Sequence, residues 1–338
     1  MVNIAEVARA AGVSNATVSR ALSGRGSVSP VTRERVIAAA NELGYVVSQA
    51  ASTLASGRNR NVGLVLPFLD KWFFTQVLAG AQERLMRAGY DVTLYNLEGD
   101  GFERREVFEN FLLRRRVDAV IAVSLELTET EVAHLHALGK PLVGVGGPID
   151  GVHTLAVDDV RAARLATEHL LGLGHTRIAH IGGDTAYDVD FHLPTKRRHG
   201  YEEALSAAGI PADPSLVVGA DFTVPGGYRA AKQLLGAPAD TRPTAVFAAS
   251  DEMAFGAILA ARDLGLVVPQ DVSVVGIDDH DMAEFFGLTT IAHFPRRQGA
   301  LAVDVLMAEL EPGSVAPSET SMPFELVVRA STARPRPE

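Results

Sequence analysis

The sequence predicts an α/β protein in two unequal parts: a small N-terminal three-helix unit containing a helix-turn-helix, then, after a hinge, a large two-lobed body of two parallel sheets flanked by helices. Three observations predict it. The first 45 residues carry apolar residues at helical spacing between recognisable caps. From Asn61 onward, short apolar runs alternate with amphipathic stretches. Charge is divided between these parts: residues 1–60 hold seven arginines against three glutamates, a balance of +4 in a chain of net charge −10, which leaves −14 on the rest. A basic head suited to phosphate on an acidic body is the simplest reading of that asymmetry. The 338 residues, 47% hydrophobic and 21% charged, exclude disorder, collagen and coiled coil as whole-chain descriptions. The absence of cysteine removes disulfides, thiol nucleophiles and cysteine-ligated metals. No run approaches the ~18 apolar residues of a membrane span, and the first 25 residues do not read as a leader, so a cytoplasmic protein is expected.

Asn3 followed by Glu6 is a capping box, and Ile4, Val7, Ala8 and Ala11 then recur on one helix face up to Gly12. Ser14 caps a second helix through Leu22, with Val18 and Leu22 facing inward and Asn15, Ala16, Ser19 and Arg20 left outside. Two short helices about a glycine-containing turn fit the motif whose second helix enters the DNA major groove. Its residue types suit such a groove. Arg20 can fork onto guanine, Asn15 can pair with adenine or a phosphate, and Ala16 offers a methyl-sized contact, while Thr17 and Ser19 position the helix on the DNA backbone. Ser29-Pro30 then starts a third helix bearing Val36, Ile37, Ala40 and Leu43, stopped by Gly44. Residues 48–58, with Ala50, Ala51, Leu54 and Ala55 before Gly57, read either as a two-turn helix that orders only on DNA or as a flexible linker.

In the body, strands are predicted at Val62–Leu66, Asp91–Tyr95, Ala119–Val123, Leu142–Val145, Arg177–Ile181, Leu216–Val218, Ala245–Ala248 and Val272–Val275. Helices are predicted between them at about Thr75–Ala88, Glu103–Arg115, Ala163–Leu173, Lys196–Ala208, Gly227–Leu235 and Glu252–Leu264. Ligands in such sheets sit beyond the strand carboxyl ends, so the residues there are the candidates. After the first strand come Trp72, Phe73 and Phe74, which can stack on a ring or serve the core. Arg197, near a helix start, can hold ligand oxygens. Phe222, Ser250-Asp251 and Asp278-Asp279 follow other strands.

Other chemistries fit less well. Asp278-Asp279-His280-Asp281 offers hard-cation ligands, but successive strand residues point to opposite faces. His134 and His136 sit two apart on a helical segment and share no face. The glycines at 144, 146, 147, 182 and 183 complete neither a dinucleotide loop nor a phosphate loop, and no nucleophile motif accompanies the histidines. No metal, cofactor or catalytic residue is therefore expected, and the chain does not read as an enzyme.

The stretch from Ile4 to Tyr45, with Ala11-Gly12-Val13-Ser14, Ala16-Thr17-Val18-Ser19-Arg20-Ala21-Leu22 and Glu42-Leu43-Gly44-Tyr45, resembles the headpiece of the lactose/galactose repressor (LacI/GalR) family. The resemblance implies a homodimeric transcriptional regulator, a repressor, that reads a pseudo-palindromic operator in double-stranded DNA. A small-molecule effector, a sugar or related metabolite, would control it. The same resemblance places Ser14, Asn15, Ala16, Thr17, Ser19 and Arg20 on DNA, together with Ala51 and Leu54 of the hinge, the leucine wedged into a central base step. Val47, Ser48 and Ser52 depart from the family's hinge pattern. It also implies a periplasmic-binding-protein-like body. Trp72, Phe73, Arg197, Phe222, Ser250 and Asp278 would then face the effector, with Gly146 where many sugar-responsive relatives carry aspartate or arginine. The expected division is a headpiece at 1–46, a hinge at 47–60, a body at 61–330 and a tail at 331–338. Lobe 1 is expected at about 61–157 and 288–318, lobe 2 at about 160–285 and 320–330, with crossings near 157–160, 283–290 and 318–323. The tail carries no leucine heptad for a tetramerising coiled coil.

Overall fold

The computed structural model describes residues 2–23, 27–45, 58–97, 101–112, 116–137, 139–184, 191–311 and 318–336. The hinge expectations, Ala51 and Leu54 among them, lie outside the described residues. The chain divides into two compact units at Arg60/Asn61.

The N-terminal unit contains α1 (Ile4–Ala11), α2 (Asn15–Ser23) and α3 (Pro30–Glu42). Its caps follow local chemistry. The Asn3 side chain accepts from the backbone N–H groups of Ala5 and Glu6 at 3.0 and 3.1 Å, and Glu6 accepts from the Asn3 N–H at 2.9 Å. Gly12, at φ 62°, takes the left-handed conformation that ends α1. The three helices close on Val7, Ala8, Ala11, Val18, Ala21, Val36, Ala39 and Ala40, with Ile4, Leu22 and Tyr45 around them. Of the four apolar residues that mark the third helix in the sequence, Val36 and Ala40 are buried while Ile37 and Leu43 are 42% and 36% exposed, and Ala39 joins the core. The alanine-rich third helix offers apolar residues on several faces, so its periodicity does not select one.

The body holds two six-stranded sheets. The first is built from β1 (Asn61–Leu66), β2 (Asp91–Asn96), β3 (Ala119–Val123), β4 (Leu142–Val145), β5 (His153–Ala156) and β11 (Glu319–Ser321), in the order β11-β5-β4-β3-β1-β2. The second uses β6 (Ile178–Gly183), β7 (Val217–Ala220), β8 (Ala245–Ala248), β9 (Ser273–Asp278), β10 (Thr289–Ala292) and β12 (Glu325–Val327), in the order β12-β10-β9-β8-β6-β7. All neighbours are parallel except β10 and β12. Apolar clusters lie on both faces of each sheet, which is why the strands read as continuous apolar runs.

The helices that cover the sheets include α4 (Trp72–Ala88), α5 (Phe102–Glu106, continued by a π-helical turn at Val107–Phe111), α6 (Glu129–Ala137), α7 (Asp159–Gly172) and α8 (Leu193–Ala207). Further along the chain come α9 (Val224–Leu235), α10 (Asp251–Asp263), α11 (Ala283–Phe286) and α12 (Pro295–Glu309). Glycine brings paired helices together. A Cβ on Gly80 of α4 would stand 1.9 Å from the Arg296 carbonyl oxygen of α12, and one on Gly200 of α8 would stand 2.2 Å from the Val160 carbonyl oxygen of α7.

The chain crosses between lobes at 157–158, at 293–294 and at 322–324. Three expectations need correction. Residues 288–292 do not open the return to lobe 1: β10 pairs with β9 from Thr289↔Val275 to Ala292↔Asp278, so the second crossing falls later, at His293-Phe294. Residues 320 and 321 belong to lobe 1, because β11 adds to the edge of β5. The segment after 330 is not a separate tail as far as Arg336. Ser331 is buried, accepts from the Thr289 N–H at 2.8 Å and donates to the Val274 carbonyl at 2.6 Å, and Arg336 reaches Asp271 at 2.6 Å. Small residues at 331–333 let the backbone lie against β9, a fit that composition does not reveal.

Candidate functional site

Two surfaces carry the predicted residues. In the N-terminal unit, α2 presents Asn15, Ala16, Ser19 and Arg20 to solvent while Val18 and Ala21 hold it to the core. Ser14 accepts from the Thr17 N–H at 3.2 Å and shares a 2.9 Å hydroxyl contact with the Thr17 side chain. Both residues therefore fix the start of the helix whose exposed face bears Arg20.

The body contains a cavity of about 270 Å³ at the strand ends between the lobes. It gathers Phe73, Gly146, Arg197, Phe222, Ser250 and Asp278, six of the seven residues expected there. Each arrives by a separate piece of local structure. Phe73 lies in the first turn of α4 and stacks on His293 of the crossing segment at 5.5 Å and 13°. Phe222, at φ 55°, turns its ring over Gly183, where a Cβ would come within 2.3 Å of it. Gly146, at φ 111°, keeps the backbone against Ser124, whose Oγ would stand 2.6 Å from a Cβ. Ser250 caps α10, accepting from the Met253 N–H at 3.3 Å. Its own proton can then be donated into the cavity.

Trp72 is the exception and needs correction: it does not line the cavity. One residue along a helix turns a side chain by about 100°, so where Phe73 faces inward, Trp72 faces the rim. There it stacks on His280 of the other lobe at 4.8 Å, and its indole N–H donates to Asp281 at 3.2 Å. A second rim contact is the Lys71 ammonium, which donates to the Asp221 carbonyl at 2.9 Å.

Arg197 and Asp278 anchor the polar wall. The Arg197 guanidinium donates from Nε and Nη2 to Asp159 at 3.0 and 2.9 Å and from Nη1 to the Ala249 carbonyl, all out of water. Asp278 accepts from His293 Nε2 at 3.0 Å and from the Asp251 N–H at 3.3 Å. Because Gln298 donates its amide proton to His293 Nδ1 at 3.3 Å, the ring proton sits on Nε2 and points at Asp278. Behind them Asp251 accepts from Thr290 at 2.6 Å and from the His280 N–H at 2.9 Å, and burial together with the neighbouring Asp278 pushes its carboxyl well above the usual range. Glu252, half-buried in the cavity wall, is pushed up to about 7 by burial and by Asp278.

The acidic run at 278–281 does not gather on one ion. Asp278 meets His293, Asp279 pairs with Arg329 at 2.6 Å, His280 lies under Trp72, and Asp281 takes the indole proton. Asp159, Glu252, His293 and Gln298 escaped the sequence reading. For the last two the cause is the misplaced second crossing. Asp159 carried a signal, an acid next to Asp158 within the crossing expected near 157–160, and the helix found there starts at Asp159, ahead of the expected Ala163.

A profile for bacterial regulatory proteins of the lacI family matches residues 3–48, and one for a periplasmic binding protein-like domain matches residues 167–332. Catabolite control protein A of Priestia megaterium is 31% identical over 336 residues, covering 98% of this chain and 99% of that protein.

The chain belongs to the lacI family of bacterial regulatory proteins.

The HTH-type transcriptional repressor PurR of Vibrio atlanticus is 32% identical over 316 residues, 92% of each chain. Among solved structures, a lac repressor dimer bound to operator and the anti-inducer ONPF superposes with a TM-score of 0.84 at 29% identity, over 98% of this chain and 99% of that one. A transcriptional regulator CelR–cellobiose complex gives 0.72 at 32% identity, over 98% and 100%. This lacI-family member is a DNA-binding transcriptional regulator and not an enzyme. Among the described residues, no helix is long and apolar enough to cross a membrane.

Proposed function

We propose that this lacI-family protein is a cytoplasmic repressor that binds a pseudo-palindromic operator as a homodimer and changes its operator affinity when a small polyhydroxylated metabolite, a sugar or sugar derivative, enters the cavity between the lobes. The observation that carries the reading is the cavity itself: aromatic rings of Phe73 and Phe222 flank a wall of hydroxyl and carboxylate groups at Ser250 and Asp278. Rings present apolar faces to sugar C–H groups, and carboxylates accept hydroxyl protons. In the head, Asn15, Ala16 and Arg20 face base edges, while Ser14, Thr17 and Ser19 hold the helix in register. A dimer is required because two half-sites need two recognition helices.

The test is fluorescence anisotropy of the full chain on a selected labelled palindrome at fixed salt, with and without a panel of sugars. Binding that falls steeply with log salt, and that one sugar shifts, is the expected result. Coupling is reciprocal, so the factor by which that sugar changes operator affinity equals the factor by which operator changes sugar affinity. Identical sugar affinity with and without operator contradicts the mechanism. Arg20→Ala is expected to cost about 1–3 kcal/mol of operator discrimination and to relax the preference for guanine at one position. An unchanged sequence preference in a selection experiment would show that Arg20 is not a reader.

A further inference from the structure

The charges around the cavity are unbalanced. Of the described residues that line it, five are carboxylates and two are cations. One of the two cations is already paired with a carboxylate and the other is tethered to a carbonyl. Arg197 is held by Asp159 and the Ala249 carbonyl, and Lys71 donates across the lobes to the Asp221 carbonyl. Two of the helix N-termini at the cavity, the other usual source of positive potential, are matched from within the chain. Asp158 caps α7, with Asp159 in its first turn, and α10 begins with Asp251 and Glu252. The start of α4, whose cap residue Lys71 makes no side-chain capping bond, faces Glu252 of the opposite lobe through the Trp72 N–H.

Resting on the effector reading above, we propose that the cavity takes an uncharged polyol about the size of one sugar ring and rejects its anionic relatives, such as sugar phosphates and uronates, with Glu252 a specificity-determining carboxylate beside Asp278. An anion entering this space meets Asp278 and Glu252 with Lys71 as the one lining cation not already matched by a carboxylate, and in a half-dry cavity the net repulsion is weakly screened. A neutral polyol instead supplies the hydroxyl protons that these carboxylates accept. Glu252 is the adjustable member of the pair. It is faced by Asp278 from β9, by Asp70 and Lys71 from the segment before α4, and by the Trp72 N–H, and it titrates at about 7. Rejection of anions therefore strengthens as pH rises through neutrality and Glu252 ionises.

Isothermal titration of the full-length protein with matched pairs tests this: D-glucose with D-glucose 6-phosphate and D-glucuronate, D-ribose with D-ribose 5-phosphate, and D-galactose with D-galacturonate, each at pH 6 and pH 8. In every pair that binds, the neutral sugar is expected to bind about tenfold tighter or more, with the wider gap at pH 8. Glu252→Gln is expected to narrow the gap at least several-fold and, in the two uronate pairs, whose ligand charge is the same at both pH values, to flatten its pH dependence, while Glu252→Asp keeps both. A phosphate or uronate that binds as tightly as its neutral parent overturns the proposal and leaves the effector reading intact. So does a ratio that Glu252→Gln leaves unchanged in a variant whose thermal unfolding matches the parent. Silence from every pair removes the sugar-effector reading, and this inference with it.

Discussion

Arg197→Ala is expected to lower the unfolding free energy of the body by about 3–5 kcal/mol and to abolish the response to effector. The Arg197–Asp159 pair is almost wholly shielded, its side chains only 6% and 9% exposed. Deleting the guanidinium strands Asp159 in the wall of the cavity and leaves the Ala249 carbonyl without its donor. The charge partner is what matters most: the double variant Arg197→Met with Asp159→Leu is expected to recover much of the stability without recovering effector binding, because the lone buried charge is then gone. Urea unfolding followed by circular dichroism measures both variants. A loss below about 1 kcal/mol for Arg197→Ala would mean that water reaches the pair and screens it as at a surface.

The second large effect is expected at Gly80→Val, with a loss of about 3 kcal/mol or more. A Cβ at this position would stand 1.9 Å from the Arg296 carbonyl oxygen, and the packing is reciprocal, since a Cβ on Gly299 would stand 2.0 Å from the Val77 carbonyl oxygen. Backbone faces backbone on both sides, so no side-chain rotation relieves the clash and α4 must part from α12. The segment that begins α12 also carries the Arg297 and Gln298 backbone bonds to Phe294, directly after the crossing at His293. Parting these helices therefore disturbs the cavity as well as the core. Gly172 in α7, which has open space where its Cβ would lie, is the matched control. Gly172→Ala is expected to be neutral or to gain up to about 1 kcal/mol. If Gly80→Val and Gly172→Ala unfold at the same denaturant concentration, close packing does not hold α4 to α12.

Much of the headpiece was legible because its signals are local. The Asn3–Glu6 box, the Ser14 and Ser29 caps and the left-handed Gly12 all act within three or four residues, and the fold realises each of them. The long strands of the body were legible for a different reason: layers on both faces make them continuous apolar runs, which can be found without knowing their partners. Of the six expected residues that line the cavity, Phe73, Phe222, Ser250 and Asp278 were picked out by type and position after a strand and Arg197 by its place near a helix start, while Gly146 came only from the family resemblance.

What the sequence by itself determined is therefore the helix-turn-helix, the rhythm of strand and helix, and the family to which both belong. Only the tertiary structure decided where the chain returns to lobe 1, because β10, β11 and β12 carry polar residues in place of a continuous apolar run and join a sheet through edges built elsewhere in the chain. It alone separated Trp72 from Phe73, since the direction of a side chain follows the rotation of a helix against its neighbours. The pairing of Arg197 with Asp159, 38 residues away, and the meeting of Gly80 with Arg296 belong to the same class. Charge, capping and apolar periodicity act along the chain and can be read there; burial, close approach and the sharing of a charge act across it, and arise only when distant segments are brought together.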